Sequence, residues 1–461
     1  MRASANRFTL SIVAIGISVL VLGVFIAFEA SPGRTNPMTT SMDFRAFYCA
    51  SRALSEHADP YRIHPATECQ RDAARTFEVD ATPLIPAPLP PHALLAFEPL
   101  ARLPFRIASP AWFAVLFIAF VATVVLASRL ANVPPIVAFI TLFASDFIVS
   151  FTVGQPGPIL VLSIVVLAIG LQRRSNTLIV GSSLVLSIEP HIALPIFLAV
   201  LAFDRHSRLS LFACLCAIAA LDVACGVSLV SEYIFTVIPL HAISEIAAYK
   251  QFSLTSALWA AGVPISHSIE IGNASYVLTT VAALILTFRA IQRTKDSSYI
   301  ALIPAACSVF AGPYIHLYQI AIALPLALML PRGPSTIHRI VAVAAVVFLS
   351  IPALEVVPFV PLAKLVFAAP LSSAAHPYVP ITIDTTDPNP IAEQVRLHET
   401  YAGLFVPGTA ARWWLVPHIW TWLGLACAIF GAYLIQARAT GRLRRPELPP
   451  KTAIVSQHAS S

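Results

Sequence analysis

The sequence has little charge. Only 11% of its 461 residues are Asp, Glu, Lys or Arg, and 57% are hydrophobic, whereas an ordinary soluble domain is about 25% charged. This scarcity excludes a soluble globular protein and indicates a polytopic membrane protein, in which lipid surrounds most helices. The long apolar runs predict an all-α fold, because the strands of a membrane barrel show only short alternating segments.

Several motifs are also missing. There is no CxxC, no Walker motif, no GxGxxG and no DxD in a predicted outer loop, which argues against a zinc ribbon, a redox centre and nucleotide hydrolysis. We therefore predict no metal and no cofactor. The net charge of +6 is read as a topology signal, so no nucleic-acid partner is expected.

Apolar segments occur along almost the whole chain. They lie near 8–28, 111–128, 134–152, 157–171, 177–188, 191–203, 209–229, 275–291, 299–312, 315–330, 339–353 and 413–436. Several are shorter than the roughly 20 residues that cross a bilayer, which indicates broken or re-entrant helices. We predict about 10 to 13 membrane or re-entrant helices in one domain, 1–437, with 8–28 as a retained signal anchor.

The short connections between these segments predict the topology. Basic residues fall in alternate connections, which places both termini in the cytoplasm if 177–188 and 191–203 are two pieces. Three long segments, 29–110, 230–273 and 354–412, then face outwards. The tail, 438–461, is basic and is predicted to be a disordered cytoplasmic extension. The expected location is the bacterial plasma (inner) membrane, in contact with the lipid bilayer.

The first long loop contains a predicted helix. Apolar side chains recur at helical spacing from Phe44 to Leu54, which suits an amphipathic helix on the outer leaflet. The motif Asp59-Pro60-Tyr61 is interpreted as its stop, and the proline-rich start of 82–104 as extended chain before a second short helix. Cys49 and Cys69 share this loop and are either a disulfide or two free thiols.

Five stretches could carry chemistry. Asp43 is either a general base or an ordinary helix-capping acid. Gln155, in FTVGQPGPIL, either lies in a turn or reaches into a cavity. Glu189 and His191 form either a mutual pair or a cavity lining. Lys250 either contacts a phosphate or is solvated.

The fifth stretch is FAGPYIHLYQIAIALPLALM, 310–329. Its polar and aromatic side chains suggest a binding site at a broken helix, or an interfacial aromatic belt. Two further acids, Asp146 and Asp222, lie in membrane segments, and Asp222 is expected to pack against a helix partner and not to do chemistry.

Taken in order, these stretches resemble glycosyltransferase family 87 of the GT-C superfamily. The resemblance runs from Asp43 to about Pro325. It rests on DFRAFYCASRAL…DPY, PLPPHALLAFEPLARLP, GQ at 154–155, EPHIALP at 189–195, FSL at 252–254 and GPYIHLY at 312–318.

The resemblance implies a GT-C-like fold and transfer of a hexose, with mannose expected, from a polyprenyl-phosphate donor to a glycolipid or glycan acceptor outside the membrane. Asp43 would be the catalytic base. The donor or acceptor would be bound by His316, Gln155, His191, Tyr318, Arg45, Lys250 and Tyr48.

The sequence departs from the family pattern at two places. Pro156 and Gly157 follow the Gly-Gln pair where relatives have an Asn, and Glu189 stands where relatives have a Lys. Phosphate charge would then be neutralised elsewhere, at Arg45, Lys250, Arg412 or His191. A transporter or flippase of a lipid-linked or small anionic substrate is the alternative function, and an inactive membrane scaffold is the second.

Overall fold

The structure is a computed structural model. It describes residues 42–76, 84–145, 150–151, 153–246, 251–330, 336–350 and 415–442. The predicted signal anchor, Asp146, Lys250, the segment 354–412 and most of the predicted tail lie outside these residues. Within them the chain is almost entirely helical and forms no strand, which confirms the all-α class.

The helices are numbered here in chain order. They are α1 Met42–Ser55, α2 Ile63–Arg75, α3 Pro91–Ala101, α4 Phe105–Ala131, α5 Pro135–Phe143, α6 Gly157–Arg173, α7 Asn176–Leu186, α8 Pro190–Phe203, α9 Arg208–Cys225, α10 Val227–Glu232, α11 Ile238–Ser244, α12 Leu254–Ala260, α13 Ile265–Thr294, α14 Tyr299–Ser308, α15 Leu324–Met329, α16 Thr336–Ser350 and α17 Leu415–Arg442. A π-helical turn, Tyr233–Val237, joins α10 to α11, and a 3₁₀ helix, Leu317–Ala323, precedes α15.

Among the described residues, four helical runs are long and apolar enough to cross a membrane: Phe105–Ala131, Arg208–Cys225, Val227–Ser244 and Ile265–Thr294. Shorter apolar helices accompany them, including α6, α7, α8 and α14. The predicted pieces 177–188 and 191–203 are indeed separate helices, because the chain leaves helical geometry after Leu186 and re-enters it at Pro190. The GT-C-like topology stays a prediction.

The run Val227–Ser244 falls partly within 230–273, which the sequence predicts to be an outer segment. Its length and composition would allow it to span the membrane, but part of it packs on the first loop. Glu232 pairs with Arg62 of that loop at 3.0 Å, and Tyr233 and Val237 belong to the same buried cluster as Phe44. The side of the membrane on which it lies stays a prediction.

Three helices end in the same way at one end of the molecule. α4, α6 and α13 each carry an arginine in the last turn, where a positive charge favours the helix dipole. Each is then stopped by a residue in the left-handed conformation: Asn132, Arg174 or Lys295.

Two of these helix ends are tied to neighbouring connections. Gln172 donates to Asp296 at 2.9 Å, and a ring nitrogen of His206 lies 3.0 Å from the Arg174 carbonyl oxygen. Three of the basic connections that the sequence predicts to be cytoplasmic, those after α6, α8 and α13, therefore lie close together.

Helix α1 has the predicted position, but its apolar face does not lie free for lipid. Phe44 is fully buried and Phe47 and Tyr48 nearly so. The Phe44 ring stacks on Trp112 of α4 at 5.5 Å and on Phe105 at 5.9 Å between ring centroids. Since this face packs on α3 and α4, the predicted contact of this face with the leaflet is wrong: α1 is a core helix of the folded loop.

The rest of the first loop is fixed by covalent and polar links. Cys49 and Cys69 form a disulfide between α1 and α2. Helix α1 ends at Ser55, and the left-handed His57 closes it with a hydrogen bond of 2.8 Å from Ala58 N to the Ala53 carbonyl. The motif Asp59-Pro60-Tyr61 follows this stop and does not form it, contrary to the prediction. Residues 84–90 form no helix and lead into α3 at Pro91, which agrees with the predicted non-helical start of this stretch. The loop is therefore a folded cap built on α4.

Candidate active site

The first part of the site joins Asp43 to Gln155. The Gln155 side-chain Nε2 donates to Asp43 Oδ2 at 2.6 Å, across 112 residues of sequence. Asp43 is in the first turn of α1 and is partly exposed, whereas Gln155 is buried. The amide donor orients the carboxylate, and the exposure leaves it within reach of a ligand.

Gly154 makes this contact possible. It has φ +78°, and a Cβ at this position would lie 2.6 Å from Phe44 Cβ, so only glycine fits. The turn is fixed from both sides, because Trp112 Nε1 donates to the Gly154 carbonyl at 2.8 Å and Gln155 N donates to the Ser150 carbonyl at 2.9 Å. Gln155 is therefore both in a tight turn and aimed at Asp43.

Arg45 lies two residues beyond Asp43 and is only 2% exposed. Burial lowers the pKa of its guanidinium to about 10, while the Asp43 carboxylate acts in the opposite direction. The side chain still carries its positive charge near neutral pH. A buried cation of this kind can pair with an anionic group.

The second part of the site is the break after α14. The chain leaves helical geometry after Ser308, and residues near Ile315 pair with residues near Gln251: Phe252 N donates to the Ile315 carbonyl at 2.7 Å, and Ile315 N to Gln251 Oε1 at 2.9 Å. The predicted broken helix is thus confirmed. The amide of Gln319 then caps the next helix by accepting from His316 N at 2.9 Å.

His316 is held in a polar and aromatic setting. Its ring stacks on Tyr318 with centroids 5.1 Å apart. Its Nδ1 lies 3.4 Å from Gln251 Nε2 and 4.0 Å from Glu245 Oε2. The His241 ring lies 6.1 Å away. His316 is therefore positioned by side chains from two other segments of the chain.

His191 joins the same group from the start of α8. Its Nε2 lies 3.3 Å from the Gln319 amide, and its Nδ1 lies 3.4 Å from a Glu189 carboxylate oxygen. The Tyr276 hydroxyl donates to its backbone carbonyl. The predicted pairing of Glu189 and His191 is present, and Gln319 links it to the segment that carries His316.

The two parts of the site are neighbours. A Cβ on Gly157, two residues after Gln155, would lie 3.8 Å from Tyr318 Cδ2. The segment 154–157 therefore touches both α1 and the ring on which His316 stacks. Asp43, Gln155, Tyr318 and His316 form one region at the end of the bundle opposite the basic connections.

One predicted binding residue, Tyr48, has its hydroxyl engaged in a contact within the first loop. The Tyr48 hydroxyl donates to the Leu103 carbonyl at 2.8 Å, so it joins α1 to the end of α3, and its substrate contact stays a prediction. Lys250 lies outside the described residues. Asp222 accepts from the His92 backbone at 2.9 Å and contacts its ring at the same distance, which confirms that it pairs with a helix partner.

Three polar side chains of the site, His241, Glu245 and Gln251, were not predicted from the sequence, whereas Gln319 belongs to the predicted polar stretch after the broken helix. Only His241 and Glu245 could have been found from the sequence, because a spacing of four residues places them on one face of a helix. Gln251 and Gln319 gain their roles from contacts across 65 and 128 residues. No local pattern marks such contacts.

Residues 89–311 match the sequence model of glycosyltransferase family 87. This is the family that the ordered motifs resemble, and the match implies a glycosyltransferase. No curated protein and no solved structure matches the chain.

The family 87 match covers slightly less than half of the chain. It contains Gln155 and His191, but it begins after Asp43 and ends before His316 and Tyr318. Those three residues are linked to the matched part by the contacts described above. Their roles are therefore argued from geometry.

Proposed function

We propose that this protein is an inverting glycosyltransferase that moves a hexose, with mannose expected, from a polyprenyl-phosphate donor to a glycolipid or glycan acceptor on the outer face of the membrane. The observation that carries the proposal is the hydrogen bond of 2.6 Å from Gln155 to Asp43. It joins an acid before the family match to an amide inside it.

Asp43 is the proposed general base. The acceptor hydroxyl attacks the anomeric carbon while its proton passes to the Asp43 carboxylate, and the bond from that carbon to the donor phosphate oxygen breaks. A single displacement inverts the anomeric centre and leaves polyprenyl phosphate as the second product. Gln155 supports this role because its amide holds one carboxylate oxygen in a fixed direction.

The departing phosphate requires positive charge or hydrogen-bond donors. Arg45 is the proposed source of charge, because it is buried beside Asp43 and keeps its proton near neutral pH. His316 and Tyr318 are proposed to line the donor site next to Gln155, and His191 to support them through Gln319. Glu189, close to His191, does not supply the positive charge of the lysine that it replaces.

The test is transfer from a synthetic polyprenyl-phosphate sugar by the full-length protein in detergent, with an extract of membrane glycolipids as acceptor. The expected product is a glycolipid with the anomeric configuration opposite to that of the donor, read by NMR. Retention of configuration would contradict the single displacement. In a second assay the protein is reconstituted into vesicles. Movement of the donor across their bilayer without any sugar transfer would favour the transporter instead.

A further inference from the structure

A cluster of three potential metal ligands lies beside the candidate active site. His241 is in α11, Glu245 follows directly after that helix, and His316 comes from the break after α14. One ligand atom from each of the three residues lies within 4.8 Å of the others. We infer that these residues form a binding site for a single divalent cation, with Zn²⁺ as the best match.

The chemistry of the three ligands favours zinc. Two imidazoles and one carboxylate are a common ligand set for Zn²⁺, whereas Mg²⁺ and Ca²⁺ prefer oxygen ligands alone. Zinc holds such ligands at about 2.0–2.2 Å, which places neighbouring ligand atoms roughly 3.4 Å apart in a tetrahedron. His316 Nδ1 and Glu245 Oε2 are 4.0 Å apart. They reach one ion once the Gln251 amide nitrogen, which lies 3.2 Å from Glu245 Oε2 and 3.4 Å from His316 Nδ1, turns away.

Burial supports the same conclusion. His241 is 4% exposed and Glu245 is 1% exposed. A carboxylate in such a position costs several kcal/mol unless opposite charge is close. A divalent cation between the carboxylate and the two imidazoles would offset that cost. The Gln251 amide also donates to Glu245 Oε2, at 3.2 Å.

The ligands are also held in place by a second layer of contacts. In the metal-free protein the Gln251 amide holds Glu245 and His316 next to each other. The His316 ring stacks on Tyr318, and the His241 ring meets Tyr314 edge-on at 5.3 Å between centroids. Little ordering of side chains would accompany metal binding.

Three protein ligands leave a fourth position for a water or a substrate oxygen. Because His316 belongs to the candidate donor site, a phosphate oxygen is the natural occupant of that position. This role rests on the proposed function. Binding of the cation does not, because it is measured on the protein without donor or acceptor.

The experiment uses the full-length protein in detergent, stripped with a chelator and then titrated with zinc chloride. Bound metal is counted by mass spectrometry after dialysis, and affinity is measured by calorimetry with magnesium and calcium chloride as competing salts. We expect one zinc per chain that neither competitor displaces. His241→Gln and Glu245→Gln should each weaken binding at least tenfold, while His267→Gln, at an exposed histidine of α13, should bind as the wild type does.

X-ray absorption of the zinc-loaded wild type gives a readout that needs no variant. Two imidazole ligands and otherwise oxygen are expected, and sulfur ligation would overturn the proposal. The proposal would also be overturned if the wild type bound zinc no more tightly than His241→Gln does. Asp43→Asn separates the two proposals, because it should abolish sugar transfer and keep zinc binding. Loss of zinc in Asp43→Asn would overturn the assignment of the ligands.

Discussion

The close approach of Gly154 to α1 makes a sharp prediction. An alanine at this position would adopt a left-handed conformation, which costs about 1–2 kcal/mol. Its Cβ would also lie 2.6 Å from Phe44 Cβ, and relief of such overpacking costs about 1–3 kcal/mol. We therefore expect Gly154→Ala to reduce the free energy of unfolding by about 3 kcal/mol, within a range of about 2–5 kcal/mol.

Gly181→Ala is the matched control. Gly181 lies inside α7, and a Cβ there would have no atom within 4 Å. Alanine favours a helix over glycine by up to about 1 kcal/mol, so this variant should be as stable as the wild type or slightly more so. Both variants are compared by SDS-induced unfolding in mixed micelles, which gives the free energy directly.

The same substitution should also affect the site. If Phe44 moves away from the added methyl group, Asp43 moves with it, and the hydrogen bond from Gln155 lengthens. Sugar transfer should then fall in Gly154→Ala and be unchanged in Gly181→Ala. Equal unfolding free energies for the two variants would refute the packing of this turn against α1.

Two further predictions concern the first loop. Replacing both Cys49 and Cys69 by alanine should lower the free energy of unfolding by about 3 kcal/mol in the same assay, because the disulfide closes a loop across 20 residues. If a thiol reagent labels both cysteines in the unfolded, unreduced wild type, the disulfide is absent and the prediction is contradicted. Gln70→Ala should cost about 2–4 kcal/mol, because its amide pairs with both the carbonyl and the N–H of buried Ile85. Exposed Arg71→Ala is its control, and equal loss in both would contradict the role of Gln70.

Much of the local structure could be predicted from the sequence. Helical spacing of aromatic side chains predicted α1, and prolines predicted the break at Pro190 and the irregular stretch after α14. These features depend on neighbours in the chain, where propensity and periodicity act directly. The resemblance to family 87 could also be predicted, since it depends on the order of short motifs.

The surroundings of α1 could not be predicted in the same way. An amphipathic pattern shows that one face is apolar, but it does not tell whether lipid or protein covers that face. The answer came from Phe97, Phe105 and Trp112, which lie on two later helices and pack around Phe44.

The site itself depends on contacts between distant segments. The sequence left Gln155 either in a turn or in a cavity, and the fold sets its amide against Asp43. His241 and Glu245 carried no prediction, and the fold brings His316 close to both. No spacing rule reports such contacts, which is why the sequence predicted no metal and the structure supplies three candidate ligands.

The central claim is that Asp43 is the base of a sugar transfer. Its most direct test compares the initial rates of sugar transfer of the wild type, Asp43→Asn and Asp72→Asn with a polyprenyl-phosphate sugar. The free energies of unfolding of the three proteins are first shown to be equal. Asp72 is an exposed acid of the same loop, so its variant controls for charge. The account predicts a loss of about 10²–10⁴-fold for Asp43→Asn and none for Asp72→Asn. A rate for Asp43→Asn within about twofold of the wild type would contradict it, because loss of a general base costs far more than that.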